Sequence, residues 1–337
     1  MIDVLVAGGG PAGLATAIEA TLAGLEAVVV EPRAAPVDKA CGEGVMPAGV
    51  AALRALGVGP QGRELHGIRY LDRDHRAEAR FRDGTGLGVR RTVLHAALHR
   101  RARDLGVRVI DGKVGTVHQS TGSVTAAGLT ARWLIAADGL HSPLRRTLGL
   151  GLPGRTPGRF GLRRHYRCAP WSDFVEVHWS RYGEAYVTPV GDQLVGVAIL
   201  SRERRGYDGH LAGFPALAAA LRGAQAGPVR GAGPLRQRVR CRVAGRVLLV
   251  GDAAGYVDAL TGEGIALALA TAHAAVHALA AGRPEDYESE WNRLTRRHRL
   301  LTGALLMAAG SRRTAGLVVP AASRMPSVFA AAVHALQ

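Results

Sequence analysis

The sequence predicts an α/β protein. A Rossmann-like domain, discontinuous in the chain, carries an inserted and mostly antiparallel β-sheet domain and is followed by C-terminal helices. Three observations predict it. A short apolar run, residues 3–7, leads into Gly8-Gly9-Gly10-Pro11-Ala12-Gly13 and then into the helical stretch 14–20. A second buried-type run, residues 246–250, comes late in the chain and ends in Gly251-Asp252. Between them, helix–strand alternation is broken twice by stretches that alternate apolar and polar residues, as half-buried strands do.

In chain order, residues 27–30 form a second apolar strand ending in Glu31, and a helix lies around Val50-Ala51-Ala52-Leu53. Weak alternation over 64–83 predicts a hairpin. A helix begins at Thr92 and ends near Leu105-Gly106, followed by a strand at 107–110 and further strands through Val124. Residues 133–137 form a buried strand ending in Asp138-Gly139. Residues 158–200 are strand-rich, and from Glu263 onward the chain is mostly helical. The implied division is 1–62, 88–157 and 235–300 for the nucleotide-binding domain, 63–87 and 158–234 for the sheet domain, and 301–337 for the C-terminal helical segment. No internal repeat is visible.

The glycine loop is the strongest chemical signal. Strand before, helix after and an acid at the end of the next strand are the context a G-x-G-x-x-G fingerprint requires. Gly8 allows the tight turn, Gly10 lets the backbone approach a pyrophosphate, and Gly13 lets helix and strand pack closely. Pro11 and Ala12 open the helix, whose N-terminal N–H groups and partial positive charge face the phosphates. Glu31 is suited to accept hydrogen bonds from a ribose hydroxyl. An acid there argues against a 2′-phosphate, so the bound dinucleotide is not expected to be NADP.

Composition narrows the class. The chain has 337 residues, 47% of them hydrophobic, and a formal net charge of +16. Such charge suggests nucleic acid, but only Lys39 and Lys113 are lysines and the arginines are scattered without aromatic interleaving. Heavy use of Arg, Ala and Gly fits a GC-rich coding bias, and no nucleic-acid partner is expected. Cys41, Cys168 and Cys241 lack metal spacing, so no metal is expected, and their sparse, odd number points to a reducing cytoplasm. The N-terminus enters a strand directly, unlike a signal peptide. The low-charge stretch 265–282 reads as a buried helix rather than a membrane span.

Gly8-x-Gly10-x-x-Gly13, Asp138-Gly139 and Gly251-Asp252-Ala253-Ala254-Gly255 together resemble the three marks of the glutathione-reductase-type FAD proteins. Within that class the chain resembles the single-component flavoprotein aromatic hydroxylases and the geranylgeranyl reductases. The stretch GDAAGYVDALTGEGI (251–265) and the loop Lys39-Ala40-Cys41-Gly42-Glu43-Gly44 are similar to the reductase branch. CGEGVMP with GYVDALTGEG is similar to bacterial flavin hydroxylases that act on phenolic lipids of type III polyketide pathways. The resemblance covers about residues 1–300 and implies FAD as cofactor.

It also implies roles. Asp252 accepts hydrogen bonds from ribityl hydroxyls, and Gly262, Glu263, Gly264 and Ile265 present a helix start to the ring edge where negative charge builds up on reduction. The family usually has Pro where this chain has Ala259, which touches the geometry of that turn. Arg91 matches an arginine over the FAD pyrophosphate, with Arg90 its rival. Arg33 lies against adenine or phosphate, or is simply a loop charge. Asp138 and Gly139, with Ser142 and Arg145, anchor the phosphate or ribose region, and the same segment helps to receive the pyridine nucleotide. Cys41 and Gly42 lie beside the flavin on the substrate side. Cys41 lines the pocket more readily than it acts as a nucleophile, because a free Cys behaves as a small hydrophobe. Glu43 is the candidate acid or base. In the sheet, Glu176 and His178 lie opposite Val177 and Trp179, so one pair faces the pocket and the other solvent. His165, Tyr166, Tyr182 and Tyr186 share this substrate cover, with ordinary core or surface roles as the competing reading.

The activity these readings imply is an FAD-dependent monooxygenase that hydroxylates an aromatic or phenolic hydrophobic secondary metabolite with oxygen. NADH or NADPH serves as transient reductant, since no second glycine loop provides a nicotinamide domain. The alternatives are a reductase that saturates isoprenoid double bonds and a non-catalytic flavin-binding redox protein. A flavin halogenase is disfavoured because W-x-W-x-I-P is absent. The partners implied are oxygen and a small aromatic or lipid-like substrate, in the cytoplasm; the sequence sets no oligomeric state. The apolar, Arg-bearing residues 300–337 suit a helical lid over an alkyl chain or a peripheral contact with a membrane surface.

Overall fold

The computed structural model describes residues 1–154, 158–310 and 312–335, so the boundary expected at residue 157 lies outside the described residues. The principal elements in chain order are β1 (Ile2–Ala7), α1 (Pro11–Leu22), β2 (Ala27–Glu31), α2 (Pro47–Ala55), β3 (Gly67–Leu71), β4 (Arg76–Arg80), α3 (Arg91–Asp104), β5 (Arg108–Asp111) and β6 (Leu129–Ala136). They continue with β7 (Phe160–Arg167), β8 (Phe174–Ser180), β9 (Gly183–Gly191), β10 (Leu194–Ser201), β11 (Val247–Leu249), α4 (Gly264–Ala280), α5 (Asp286–Ala308), α6 (Val318–Arg324) and α7 (Pro326–His334).

The first sheet has a parallel core in the order β11-β6-β1-β2-β5, with short antiparallel strands at Val117–Gln119, Val124–Ala126 and Val243–Ala244 added to it. Its central strands are nearly continuous apolar runs, broken at Asp3, Thr130 and Arg132, because helices cover both faces. Val4, Leu5, Val6, Val28, Val29, Leu134 and Ile135 have no exposed surface. α1, α3 and α4 supply the covering, and the strand ends at Ala7, Ala136 and Leu249 lie side by side on one edge of the domain. Pro11, Pro47 and Pro326 each occupy the first turn of a helix, where the missing N–H costs nothing.

The second sheet runs β7-β10-β9-β8-β3-β4, antiparallel except where β3 joins β8. The hairpin expected over 64–83 is therefore the edge of this sheet. Its alternation sorts the side chains: Val175, Val177 and Trp179 enter one apolar cluster with Tyr70 and Tyr186, whereas Ala185, Val187, Val197 and Ile199 enter another under residues 207–221. α6 and α7 close the first cluster with Val319, Phe329 and Val333.

Candidate functional site

The turn from β1 into α1 closes only with glycine at two points. Gly8 has a φ of +107°, and a Cβ there would lie 2.6 Å from the Ala137 carbonyl oxygen. A Cβ on Gly13 would lie 1.8 Å from the oxygen of Gly8. Gly10, in contrast, faces open space; the first atom that a Cβ there would meet belongs to the Arg91 guanidinium, 3.8 Å away. Pro11 and Ala12 are buried behind it, with Ala12 against Gly251. The loop thus presents bare backbone to a cleft at the N-terminus of α1.

Around that cleft lie the charges a dinucleotide needs. Glu31 accepts the Gly9 N–H at 2.7 Å and a double hydrogen bond from Arg33, at 2.6 and 2.9 Å. Burial raises the Glu31 carboxyl, but Arg33 and Gly9 outweigh it and hold it ionised below the usual range. Arg33 is thus the partner of Glu31. Enclosure and the neighbouring charges of Arg33 and Arg91 push the Lys39 ammonium down, although its surface stays open to the cleft. Its Nζ stands 3.5 Å from where a Cβ on Gly139 would be. Arg33, Lys39 and Arg91 therefore crowd one region, and the buried Arg91 Nε has no protein partner. Like charges gather at such cost where an anion compensates them, so the residues present fit a diphosphate. Arg90 is the residue before α3, and it is Arg91 that faces Gly10.

Asp138 accepts the Leu144 N–H at 3.0 Å through one oxygen, while its other, Oδ1, is buried without a partner, and burial pushes the carboxyl up. Ser142 caps the short helix that follows, accepting the Arg145 N–H at 2.9 Å. The Arg145 guanidinium is spent on the Asp252 and Ala253 carbonyls, at 3.3 and 3.0 Å, and on Gln237 at 2.7 Å. It braces one strand-end loop against the other. Burial likewise raises the Asp252 carboxyl, opposed by Arg91, Lys39 and Arg145. Gly251 has a φ of +57°.

The loop after Lys39 holds the most constrained chemistry. Glu43 is 1% exposed and has a φ of +61°, uncommon for a side-chain-bearing residue. Its Oε1 accepts the Arg91 N–H at 2.8 Å and its Oε2 lies 2.6 Å from His165 Nε2. His165 Nδ1 lies 3.0 Å from Arg163 Nη1, and Arg163 in turn pairs with Asp38. Arginine only donates, so Nδ1 must accept and the proton must sit on Nε2, donated to Glu43. This fixes the imidazole as one tautomer. Both Glu43 oxygens are engaged, so its carboxylate acts on the loop and on α3 rather than freely on a substrate. The Glu43 N–H reaches the Cys41 sulfur at 3.4 Å, and Thr188 donates to the Gly42 carbonyl at 2.8 Å. Burial pushes the Cys41 thiol up, keeping it protonated, although a sliver of its surface stays open.

At the other wall, Gly262 has a φ of +72° and α4 starts at Gly264, with Ile265 buried. The Glu263 carboxylate turns to His298 of α5, at 2.6 Å. Tyr186 donates to the Leu260 carbonyl at 2.7 Å, tying this turn to β9. Glu176 pairs with His178 at 3.2 Å and accepts from Arg69 and Trp171 on the opposite face of the strand, so Val177 and Trp179 are the pair that enters the cluster with Tyr186.

Residue reading missed His95, Asp38, Arg163 and the pairing of His165. His95 is 1% exposed, donates through Nε2 to the Gly9 carbonyl at 2.9 Å, and is pushed down to about 4 mainly by burial. Its place four residues after Arg91, on the same helix face, was the available signal. Also unforeseen, the buried Arg159 serves two carboxylates, Glu184 and Asp258. A cavity of about 250 Å³ lies behind the Gly251–Asp252 turn, lined in part by Arg238, Arg242, Trp291 and His298. It adjoins the cleft without including the glycine loop. Among the described residues no His, Cys, Asp or Glu cluster could hold a metal ion.

Comparison with known proteins agrees with this geometry. A family model described as "FAD binding domain" matches residues 1–183. The menaquinone reductase of Mycolicibacterium smegmatis is 31% identical over 329 residues, covering 88% of this chain and 80% of the relative. Digeranylgeranylglycerophospholipid reductase 1 of Methanothermobacter thermautotrophicus is 29% identical over 302 residues, covering 78% of this chain and 73% of the relative. Among solved structures, a flavin-dependent brominase superposes with a TM-score of 0.84 at 18% identity, covering 99% of this chain and 93% of its own; this likeness shows the fold alone.

Proposed function

The chain belongs to the FAD-binding-domain family and is an FAD-dependent oxidoreductase, and on that premise we propose that it reduces a carbon–carbon double bond in a long, hydrophobic, isoprenoid-type substrate. The observation that carries this reading is the acid–base character of the Cys41–Glu43 loop, which runs on into an apolar cluster at Met46. The Cys41 thiol is held protonated, and the Glu43 carboxylate is fully occupied, so the loop offers a proton rather than a base. Five residues after Cys41 in the same loop, Met46 enters a second apolar cluster with Tyr186, Leu260, Val319 and Phe329, which offers a hydrocarbon chain an apolar wall. The two relatives named as reductases support the same choice.

Gly10, Gly13, Arg91, Lys39, Asp138, Gly139, Gly251 and Asp252 would hold the FAD, with Glu31 and Arg33 at its adenosine end and residues 262–265 at its ring end. When bound, the flavin supplies a hydride that NADH or NADPH has provided. Cys41 gives its proton to the second carbon of the double bond, and solvent returns it. The apolar cluster orients the chain and excludes water from the reacting atoms. Glu43, locked by His165, keeps the Cys41 loop in register with Arg91.

A second reading, hydroxylation of an aromatic or phenolic substrate with oxygen, is favoured by the likeness of the CGEGVMP and GYVDALTGEG segments to flavin hydroxylases. One assay separates them. Holoenzyme with NADH or NADPH and a polyprenyl quinone or phospholipid is run under nitrogen and under air, and the product is weighed by mass spectrometry. Gain of two hydrogens in both atmospheres supports reduction. Gain of one oxygen in air alone replaces that reading with hydroxylation.

A further inference from the structure

The large apolar side chains that remain exposed are concentrated in one part of the chain. Five of the nine among the described residues, Leu300, Met307, Leu317, Met325 and Val328, fall within residues 300–328, and Met307 is 77% exposed. The charge there is one-sided. Residues 291–337 contain seven arginines and no Asp or Glu, the last acid being Glu290. On α5, the exposed Arg297, Leu300, Ala304 and Met307 follow at spacings of three and four, so they form a single stripe, cationic at one end and apolar at the other. Arg324, Met325 and Val328 stand exposed together at the corner between α6 and α7. Large exposed apolar patches mark interaction surfaces, and apolar side chains on a segment that holds arginines and no acid fit an apolar partner with anionic edges.

We propose that this face docks onto an anionic lipid bilayer, with Leu300, Met307, Met325 and Val328 in the headgroup boundary and Arg296, Arg297 and Arg324 against lipid phosphates. The contact is peripheral, because no helix among the described residues is long and apolar enough to cross a membrane. A cationic amphipathic face binds in this manner, by buried apolar area plus attraction to anionic headgroups. The inner side of the same helices leads to the site. Val319, Phe329 and Val333 pack in the cluster that holds Tyr186 and Leu260, with Leu305 and Leu306 of α5 beside them. Resting on the reductase reading, the face then sets this apolar cluster over the bilayer from which a lipid substrate is drawn.

The test is vesicle co-sedimentation of the FAD-loaded protein. Vesicles of phosphatidylglycerol and phosphatidylcholine in equal parts are compared with vesicles of phosphatidylcholine alone, at low and high salt. We expect binding to the anionic vesicles only, at least tenfold weaker binding at 1 M salt, where screening is short-ranged, and at least tenfold weaker binding for Leu300→Glu/Met307→Glu. Flavin absorbance must be unchanged in that variant, which shows that it folds. Equal binding to both vesicle types, or undiminished binding by the variant, overturns the proposal. So does a dimer in sedimentation equilibrium that the variant splits, since a second copy would then be the occupant. No turnover is read, so failure here leaves the chemistry to be decided independently by the double-bond assay.

Discussion

At Gly13 one methyl group decides whether the nucleotide loop exists. An added Cβ would fall 1.8 Å from the Gly8 carbonyl oxygen, and backbone cannot yield as a flexible side chain can. Gly13→Ala is expected to weaken FAD binding by at least about a hundredfold, roughly 3 kcal/mol, read as loss of yellow colour on purification. Gly10→Ala, which meets only the Arg91 side chain, should fold normally and lose affinity alone. His95 sets a pH dependence. Its folded value is depressed to about 4 from 6.5, so between those values the unfolded chain binds the proton and the native state does not. Stability is therefore present above about 6.5 and falls as pH drops toward 4, by up to about 3 kcal/mol. Urea melts of the wild type and His95→Gln across this window test it: the variant should lose most of that slope.

Among elements, the decisive junction lies between the loop preceding α2, the start of α3 and strand β7. Glu43 joins all three through the Arg91 N–H and His165. Removing one partner of a buried, charged contact leaves the other unpaired, typically at about 3–5 kcal/mol. His165→Leu should cost that order in chemical denaturation and weaken FAD through displaced Arg91, whereas His165→Gln, which can still donate to Glu43, should recover part of both losses. A second junction is α7 on β3 and β4, where the Phe329 ring stands 4.8 Å from Tyr70. Deleting residues after Pro320 should lower kcat/KM for long-chain substrates more than for short phenols, because the deletion strips Phe329 and Val333 from the apolar wall. An equal loss for both would mean that the apolar wall does not receive the chain.

For the whole molecule, the two sheets divide the work: one edge of the parallel sheet gathers the loops that follow Ala7, Ala136 and Leu249, and the antiparallel sheet supplies His165, Thr188 and Tyr186 to the facing wall. Apo protein should gain thermal stability with added FAD in a concentration-dependent way, as any ligand bound only by the native state requires. The cleft was legible in the sequence because each of its loops begins at a strand end and carries short-range punctuation: Gly8 to Gly13, Glu31, Asp138-Gly139, Gly251-Asp252. The inserted antiparallel sheet was legible too, from the alternation within its strands. The Asp38–Arg163–His165–Glu43 chain was not legible, because its two halves lie more than a hundred residues apart and each member alone resembles an ordinary polar residue. Nor could residue reading tell which pair in β8 faces inward, since period-2 alternation gives two faces without labelling them.

By itself, then, the amino-acid order determined a dinucleotide-binding parallel sheet with an antiparallel insertion, because these features depend on local periodicity and on where only glycine fits. The three-dimensional arrangement decided what lies opposite that cleft: which carboxylates are already engaged, which imidazole tautomer is held, and which helices leave apolar side chains in water. Those outcomes depend on burial and on contacts across sheets, and no short window of sequence contains both partners.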